Sequence, residues 1–342
     1  ANGGGYNNIS SNLIRNQTYA GIYLSDNSDI NYIESNNAFN NTYSCLINNS
    51  KGNMINSNSF YDSSIGLWVL DATTVDFGEF SNNLENSYYN NSEAGLKIEG
   101  SSSDSYVEGI FYNNTYGAWI LDSNVTIGGR DSYYSQVYNN TKGIYVQHSE
   151  DVGLGKLNVT NNFYTGIHLD NVTGTYLESA TTLKIFDNPY GLIIDNSSNT
   201  NFYTTNYGYG DELRVYNNTI NVWINWSSYN NLSGWYIYNA TKGIMLNNSD
   251  NNLIYNNNIS RNAINAQDAG NNLWNISKNI SDSNIVDGDY LGGNYWSDYD
   301  GDDISGDGIG DNGTIPWKSS GTNITNGGDE LPLIPVAGNV SC

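Results

Sequence analysis

The sequence predicts an all-β fold, a single right-handed parallel β-helix of about eleven coils, on three observations. The first is a glycine followed by an in-out-in apolar triplet, recurring about every 22 to 26 residues. It reads Gly21-Ile22-Tyr23-Leu24, Gly66-Leu67-Trp68-Val69, Gly95-Leu96-Lys97-Ile98 and Gly117-Ala118-Trp119-Ile120. It continues as Gly143-Ile144-Tyr145-Val146, Gly166-Ile167-His168-Leu169, Gly191-Leu192-Ile193-Ile194 and Gly243-Ile244-Met245-Leu246. Ser44-Cys45-Leu46-Ile47 and Asn221-Val222-Trp223-Ile224 are degenerate copies. The second is a pair of weaker strand motifs in each interval, one like Asn31-Tyr32-Ile33 and one, before the glycine, like Phe111-Tyr112-Asn113-Asn114. The third is that Asn-Gly, the strongest two-residue hairpin signal, does not occur between Tyr6 and Tyr290, so strands must pair between coils.

Each part of a coil has a physical reason. Side chains alternate along a strand, so the first and third triplet residues stack into one interior column, as Ile22 with Leu67, Leu96, Ile144 and Ile167. Just past the triplet, Asp26, Asn48, Asp71, Asp122, Asp170, Asp195 and Asn247 form a polar corner, since short polar side chains bond their own backbone and tolerate unusual torsions. Extra residues around Phe77–Tyr89 and Thr204–Arg214 are expected as surface loops. Stacked about 4.8 Å apart, the coils would make a rod some 50 Å long (about eleven repeats). The helix is expected over 1–284, with 285–342 as an acidic cap and tail.

Composition narrows the function. Lys+Arg is 12 against Asp+Glu 35, a net charge of −23 that gives little attraction for nucleic acid or anionic membranes. No apolar run approaches the length of about 20 residues that spans a bilayer. The first residue is alanine, which fits removal of an upstream secretion signal, so an extracellular or cell-surface protein is expected. Asn-x-Ser/Thr acceptors support export. They fall at Asn8, Asn16, Asn40, Asn48, Asn90, Asn113, Asn124, Asn139, Asn158, Asn171 and Asn196. The others are Asn217, Asn225, Asn231, Asn239, Asn247, Asn258, Asn275, Asn279, Asn312, Asn323 and Asn339. N-linked glycans are the expected modification; turn chemistry, which favours the same residues, is the competing source of the excess.

The middle triplet residue points away from the core. Tyr23, Leu46, Trp68, Trp119, Tyr145, Trp223 and Met245 line this outer column with Lys97, His168 and Ile193. An apolar stripe of this kind marks a contact. Packing against a second copy, stacking on cell-surface glycans and cover by a loop or the chain's own tail are the three readings. Near the end, Asp298, Asp300, Asp302, Asp303, Asp307 and Asp311 alternate with glycines, a set of hard oxygen donors that suits Ca²⁺; a solvated acidic loop is the other reading.

Asn-rich coils of the form Asn-Asn-x-x-Gly-Ile-x-Leu, followed by Gly292-Gly293-Asn294-Tyr295-Trp296-Ser297-Asp298-Tyr299 and Gly306-Asp307-Gly308-Ile309-Gly310-Asp311, resemble the NosD-like parallel β-helix proteins of secreted and surface-anchored type. The resemblance covers roughly residues 7 to 311. It implies a right-handed β-helix and, in methanogenic archaea, surface-layer, sheath or adhesion roles. A copper role, which NosD itself suggests, is poorly served by two His, two Met and two Cys.

Catalysis is not expected. Asp residues are used as corners, and His148 and His168 read as a corner and an outer-column residue. No nucleophile elbow, phosphate loop or metalloprotease motif occurs. The leading expectation is an exported structural protein that assembles with itself into a filament, sheath or surface layer; the alternative is a carbohydrate-binding or carbohydrate-processing β-helix. Cys45 occupies an inward position, so a buried free thiol is one reading. A head-to-tail Cys342–Cys45 link between subunits is the other.

Overall fold

Three-residue strands centred on one aliphatic or aromatic side chain cannot bury that side chain alone, and here they do so by stacking turn on turn. The computed structural model describes residues 5–75, 77, 85–129, 134–178, 182–203, 213–280, 283–319 and 323–335, and of 102–106 the backbone only. Of the loops expected around Phe77–Tyr89 and Thr204–Arg214, residues 78–84 and 204–212 lie outside the described residues, as do Asn339 and Cys342. The chain forms two units, Ala1–Thr173 and Gly174–Cys342. Both are right-handed parallel β-solenoid, about ten turns in all.

In the first unit the triplets form the strands Ala20–Ser25, Tyr43–Asn48, Ile65–Leu70, Ala94–Glu99, Tyr116–Leu121, Lys142–Gln147 and Thr165–Asp170, each pairing in parallel with the next. Register aligns Ile22, Cys45, Leu67, Leu96, Ala118, Ile144 and Ile167 as the sequence predicts, and all are buried. A second sheet runs from Leu13–Arg15 through Ser59–Tyr61 and Ile110–Tyr112 to Leu157–Thr160, burying Phe60, Tyr88, Phe111 and Val137. Shorter strands such as Tyr32–Glu34 and Asn124–Ile127 close the turn.

The second unit repeats this plan. Its triplet strands are Tyr190–Asp195, Ile220–Asn225, Lys242–Asn247 and Ile264–Asp268. Its second sheet ends on Tyr295–Trp296, which pairs with Asn258–Ser260. The segment read as a separate cap from residue 285 thus supplies a last solenoid strand. Among the described strands the one antiparallel pair is Asn279–Ile280 with Tyr290–Leu291. No helix in the described residues is long and apolar enough to cross a membrane.

Candidate functional site

The corners are where most of the polar sequence goes. Each turn leaves the second sheet through a residue with positive φ: Asn40 (52°), Asn90 (55°), Asn113 (56°), Asn139 (55°), Asn217 (56°) and Asn239 (54°). Asn tolerates this left-handed backbone better than other non-glycine residues. The residue after it turns inward and is buried: Asn41, Asn91, Asn114, Asn140 and Asn218. These inner asparagines form a ladder. Asn91 donates its backbone N–H to Oδ1 of Asn114 (2.9 Å), and Asn114 does the same to Asn140 (3.0 Å) and Asn140 to Asn162 (3.1 Å). Nδ2 of Asn114 also donates to the carbonyls of Tyr88 and Tyr112, both at 3.0 Å. One amide thus satisfies backbone groups that a corner would otherwise orphan.

Further ladders occupy the remaining corners. Asn36, Asn58 and Asn86 form one, and Ser101, Ser123 and Ser149 another. In the second unit Ser197, Ser227 and Ser249 continue the type, as do Thr200, Asn230, Asn252 and Asn272. The corner after the triplet needs one refinement. Left-handed backbone falls on Asp26, Asn49, Asp71, Asp122, His148, Asn171, Asn196, Trp226 and Asn248, so Asn48, Asp170, Asp195 and Asn247 precede the bend by one residue. His148 holds the corner at φ 50°, as expected.

The ladder explains the triplet glycine. A Cβ on Gly66, Gly95, Gly117 or Gly143 would lie 2.5–2.7 Å from the carbonyl oxygen of the next turn's glycine and 2.9–3.0 Å from a ladder amide. Where the glycine is replaced, the facing ladder position shrinks. Ser44 Oγ meets Ser63 Oγ at 2.8 Å, and Asn221, which stands in the glycine position between Gly191 and Gly243, is followed one turn on by Ala240.

The outer column is more covered than the sequence suggests. Tyr23 is exposed, Trp68, Trp119 and Trp223 are half-buried, and Leu46, Tyr145 and Met245 are buried. The reason is lateral: the column stacks on itself and against the residue preceding each glycine. Tyr43 meets Trp68 edge-on at 5.1 Å, and Tyr116 stacks on Tyr145 at 5.5 Å. Lys97 Nζ lies 4.9 Å from the Trp68 ring and 4.4 Å from that of Trp119, and pairs with Glu99 at 2.8 Å. Lys142 sits 3.7 Å over Tyr145 and 3.1 Å from Nδ1 of His168, and burial pulls its ammonium down from the usual lysine range. His168 is therefore a buried member of this ladder rather than an exposed residue.

A second aromatic ladder was not read from the sequence. Phe39, Tyr61, Tyr89, Tyr112 and Tyr138 stack face to face at 4.6–5.1 Å, each just before a corner residue. Phe186, Tyr216 and Tyr238 repeat it in the second unit. Burial, then the neighbouring tyrosines, push the Tyr89 hydroxyl up to about 12. The signal was present as the aromatic residue before Asn40-Asn41, Asn90-Asn91, Asn113-Asn114, Asn139-Asn140, Asp187-Asn188 and Asn217-Asn218.

The acidic segment folds as part of the end turn. Asp303 accepts backbone N–H groups of Gly306, Asp307 and Gly308 at 2.7–3.0 Å. Asp307 pairs with Lys278, Asp311 accepts from Ser305 N, Asp300 from Thr314 N, and Asp298 from Nδ2 of Asn265. Asp302 donates its N–H to Asn312. Among the described residues no three His, Cys, Asp or Glu side chains are arranged to hold a metal ion. The residue that organises this end is one the sequence reading passed over. Asp329 is fully buried, accepting from Asn294 N (2.7 Å), Trp296 Nε1 (2.7 Å) and Leu331 N (3.0 Å). Burial, only partly offset by these hydrogen bonds, raises its carboxyl to about 7. Gly293 is glycine because Asp329 occupies the place of its Cβ.

Cys45 is fully buried and burial raises its thiol far above the usual range. That agrees with the inward reading and places its sulfur out of reach of a second chain in the folded protein, against the Cys342–Cys45 link.

Turns closed by amide, hydroxyl and aromatic ladders define a parallel β-solenoid, and a family match agrees in kind. Residues 135–301 match the family described as periplasmic copper-binding protein (NosD). The copper of that description has no gathered donor set among the described residues. No curated protein sequence matches the chain. The enzymatically active domain of tailspike protein 2 of bacteriophage CBA120 is similar at 12% identity and TM-score 0.42, over 79% of this chain and 42% of that one. The chain thus spans less than half the length of that domain. A mutant of the periplasmic alginate epimerase AlgG is similar at 12% identity and TM-score 0.37, over 76% and 74% of the two chains. The A-module of the mannuronan C-5 epimerase AlgE6 of Azotobacter vinelandii follows at 11% and 0.30, over 72% and 61%.

Proposed function

We propose that this is an exported, N-glycosylated structural protein whose solenoid is a stiff element of a cell-surface filament, sheath or layer. The observation behind it is the use made of the residues that look chemical. Asparagines, serines, tyrosines, the outer tryptophans and Lys97 are engaged in ladders that join one turn to the next. Even the most perturbed carboxyl, Asp329, is sealed under Trp296 and bonded to backbone. Perturbed groups often mark active sites, but this one is closed to any substrate. The rival reading, sugar stacking on Trp68 and Trp119, is weakened because Lys97 lies over both rings. Electron microscopy of untreated envelopes is the test: ordered polymers labelled by antibody to this chain are expected, and dispersed monomers would end the assembly reading.

The acceptor sites divide by corner. At Asn40, Asn90, Asn139, Asn217 and Asn239 both the asparagine and the following Thr or Ser are exposed. At Asn48, Asn225 and Asn247 the hydroxyl belongs to the buried residues Ser50, Ser227 and Ser249. Glycan transfer to the folded chain is expected at the first set and not the second, since the acceptor motif needs its hydroxyl. Site-resolved glycopeptide mass spectrometry checks this; equal occupancy would mean transfer before folding.

A further inference from the structure

We propose that the second unit carries a binding site for an uncharged oligosaccharide, formed by Trp226, Tyr229 and the amide-lined groove of the next turns. The site begins with a backbone anomaly. At the corner after the triplet, Trp226 (φ 49°) stands in line with Asn196 and Asn248. Three residues on, Tyr229 (φ 61°) stands in line with Asn199 and Asn251. All six hold left-handed backbone, which suits asparagine and strains a bulky aromatic side chain. Strain kept at two neighbouring positions points to a use for the rings.

Those rings are open. Trp226 is 63% exposed and Tyr229 64%, and neither stacks on another described ring, unlike the two ladders. In the next turns lies a groove of about 400 Å³, lined by Asn251, Asn271, Asn272, Leu273, Asn326 and Gly327. Asn251 follows Tyr229 in register, and its N–H bonds the carbonyl of Asn271 at 2.9 Å. Asn272 is spent in a ladder, but among the described residues the side-chain amides of Asn251 and Asn271 have no protein partner. Each offers a donor and an acceptor, the set that reads paired ring hydroxyls. Exposed Leu273 and the aromatic faces match the C–H faces of a pyranose.

Charge selects the class. No ionisable residue lines the groove, and the nearby Asp250 carboxylate, which accepts Asn271 N at 2.6 Å, disfavours an anionic sugar. The site is distinct from the Trp68/Trp119 column, and isolated monomers would bind as well as polymers, so its failure leaves the structural reading untouched.

The test is calorimetric titration of the folded chain with cellohexaose and chitohexaose, with hexagalacturonate as the anionic control, on wild type, Trp226→Asn and Tyr229→Asn. At least one uncharged hexasaccharide is expected to bind, with each variant weakening it by about tenfold or more. Because asparagine relieves the strain, each variant should also melt about 2–4 °C higher. Tighter binding of hexagalacturonate, unchanged affinity in both variants, or no binding of either uncharged sugar at millimolar concentration would overturn the proposal. A lower melting temperature in both variants would do so as well, because the rings would then be structural.

Discussion

Replacing Gly117 with serine is expected to cost about 3 kcal/mol of stability, at the upper end for overpacking, though the change adds only two heavy atoms. The added Cβ would stand 2.5 Å from the Gly143 carbonyl oxygen and 2.9 Å from Nδ2 of Asn140. Neither can yield cheaply. The carbonyl belongs to the next turn's strand, and Nδ2 of Asn140 is tied to the carbonyls of Phe111 and Tyr138, each at 3.0 Å. Moving that amide breaks its bonds and leaves buried carbonyls unpaired. The protein contains its own control in the Ser44 and Ser63 pair, where a small ladder residue makes room. Gly117→Ser combined with Asn140→Ser should therefore lose less than the sum of the single changes, by about 1 kcal/mol or more. Denaturant melts of the four proteins measure it. Simple additivity would show that glycine is required here for some reason other than the ladder.

That coupling also marks where the sequence could and could not be read. The interior columns were legible because burial imposes period two on each triplet, and Ile22 through Ile167 align as the alternation requires. The second asparagine of each Asn-Asn pair was not. In sequence it looks like the first, but only the structure shows that Asn90 is outside and Asn91 inside. Some of the acceptor motifs, at Asn40, Asn90, Asn113, Asn139 and Asn217, coincide with this corner pattern: a left-handed Asn, a ladder Asn, then a hydroxyl such as that of Thr42 or Thr115, which donates to the previous turn. The outer column misled for a related reason. Alternation tells which face a side chain takes, not whether neighbours 4.8 Å away cover it. Asp329 was invisible because its partners Asn294 and Trp296 lie more than thirty residues earlier in the chain.

Stability is expected to fall, not rise, as pH increases from 4 to 8, and Asp329 is the main cause. Its carboxyl titrates at about 7 in the folded protein, whereas in the unfolded chain it would do so at the usual value of about 3.9. Between these values the folded state holds one proton more than the unfolded state, so stability drops by about 1.4 kcal/mol per pH unit. The contribution is fully present below pH 4 and is lost by the time pH passes 7, about 4 kcal/mol in all. Asp268, whose carboxyl burial also raises, acts in the same direction. Asp307, held low by Lys278, acts oppositely, but only as pH falls through the acid range below this window. Asp329→Asn separates the terms. The amide cannot ionise, so its profile should keep only the shallower slope from Asp268 and Glu85, whose carboxyls burial also raises. It also cannot accept at both oxygens, since one becomes an N–H₂ facing the donors on Asn294, Trp296 or Leu331. The variant should thus be less stable than wild type near pH 5, by about 1–2 kcal/mol, and equal to it or better near pH 8. Thermal or urea melts across pH 4.5–8.5 should show the two curves crossing. Parallel curves would mean that Asp329 is already ionised in the folded protein at pH 5, and that its three N–H donors outweigh its burial.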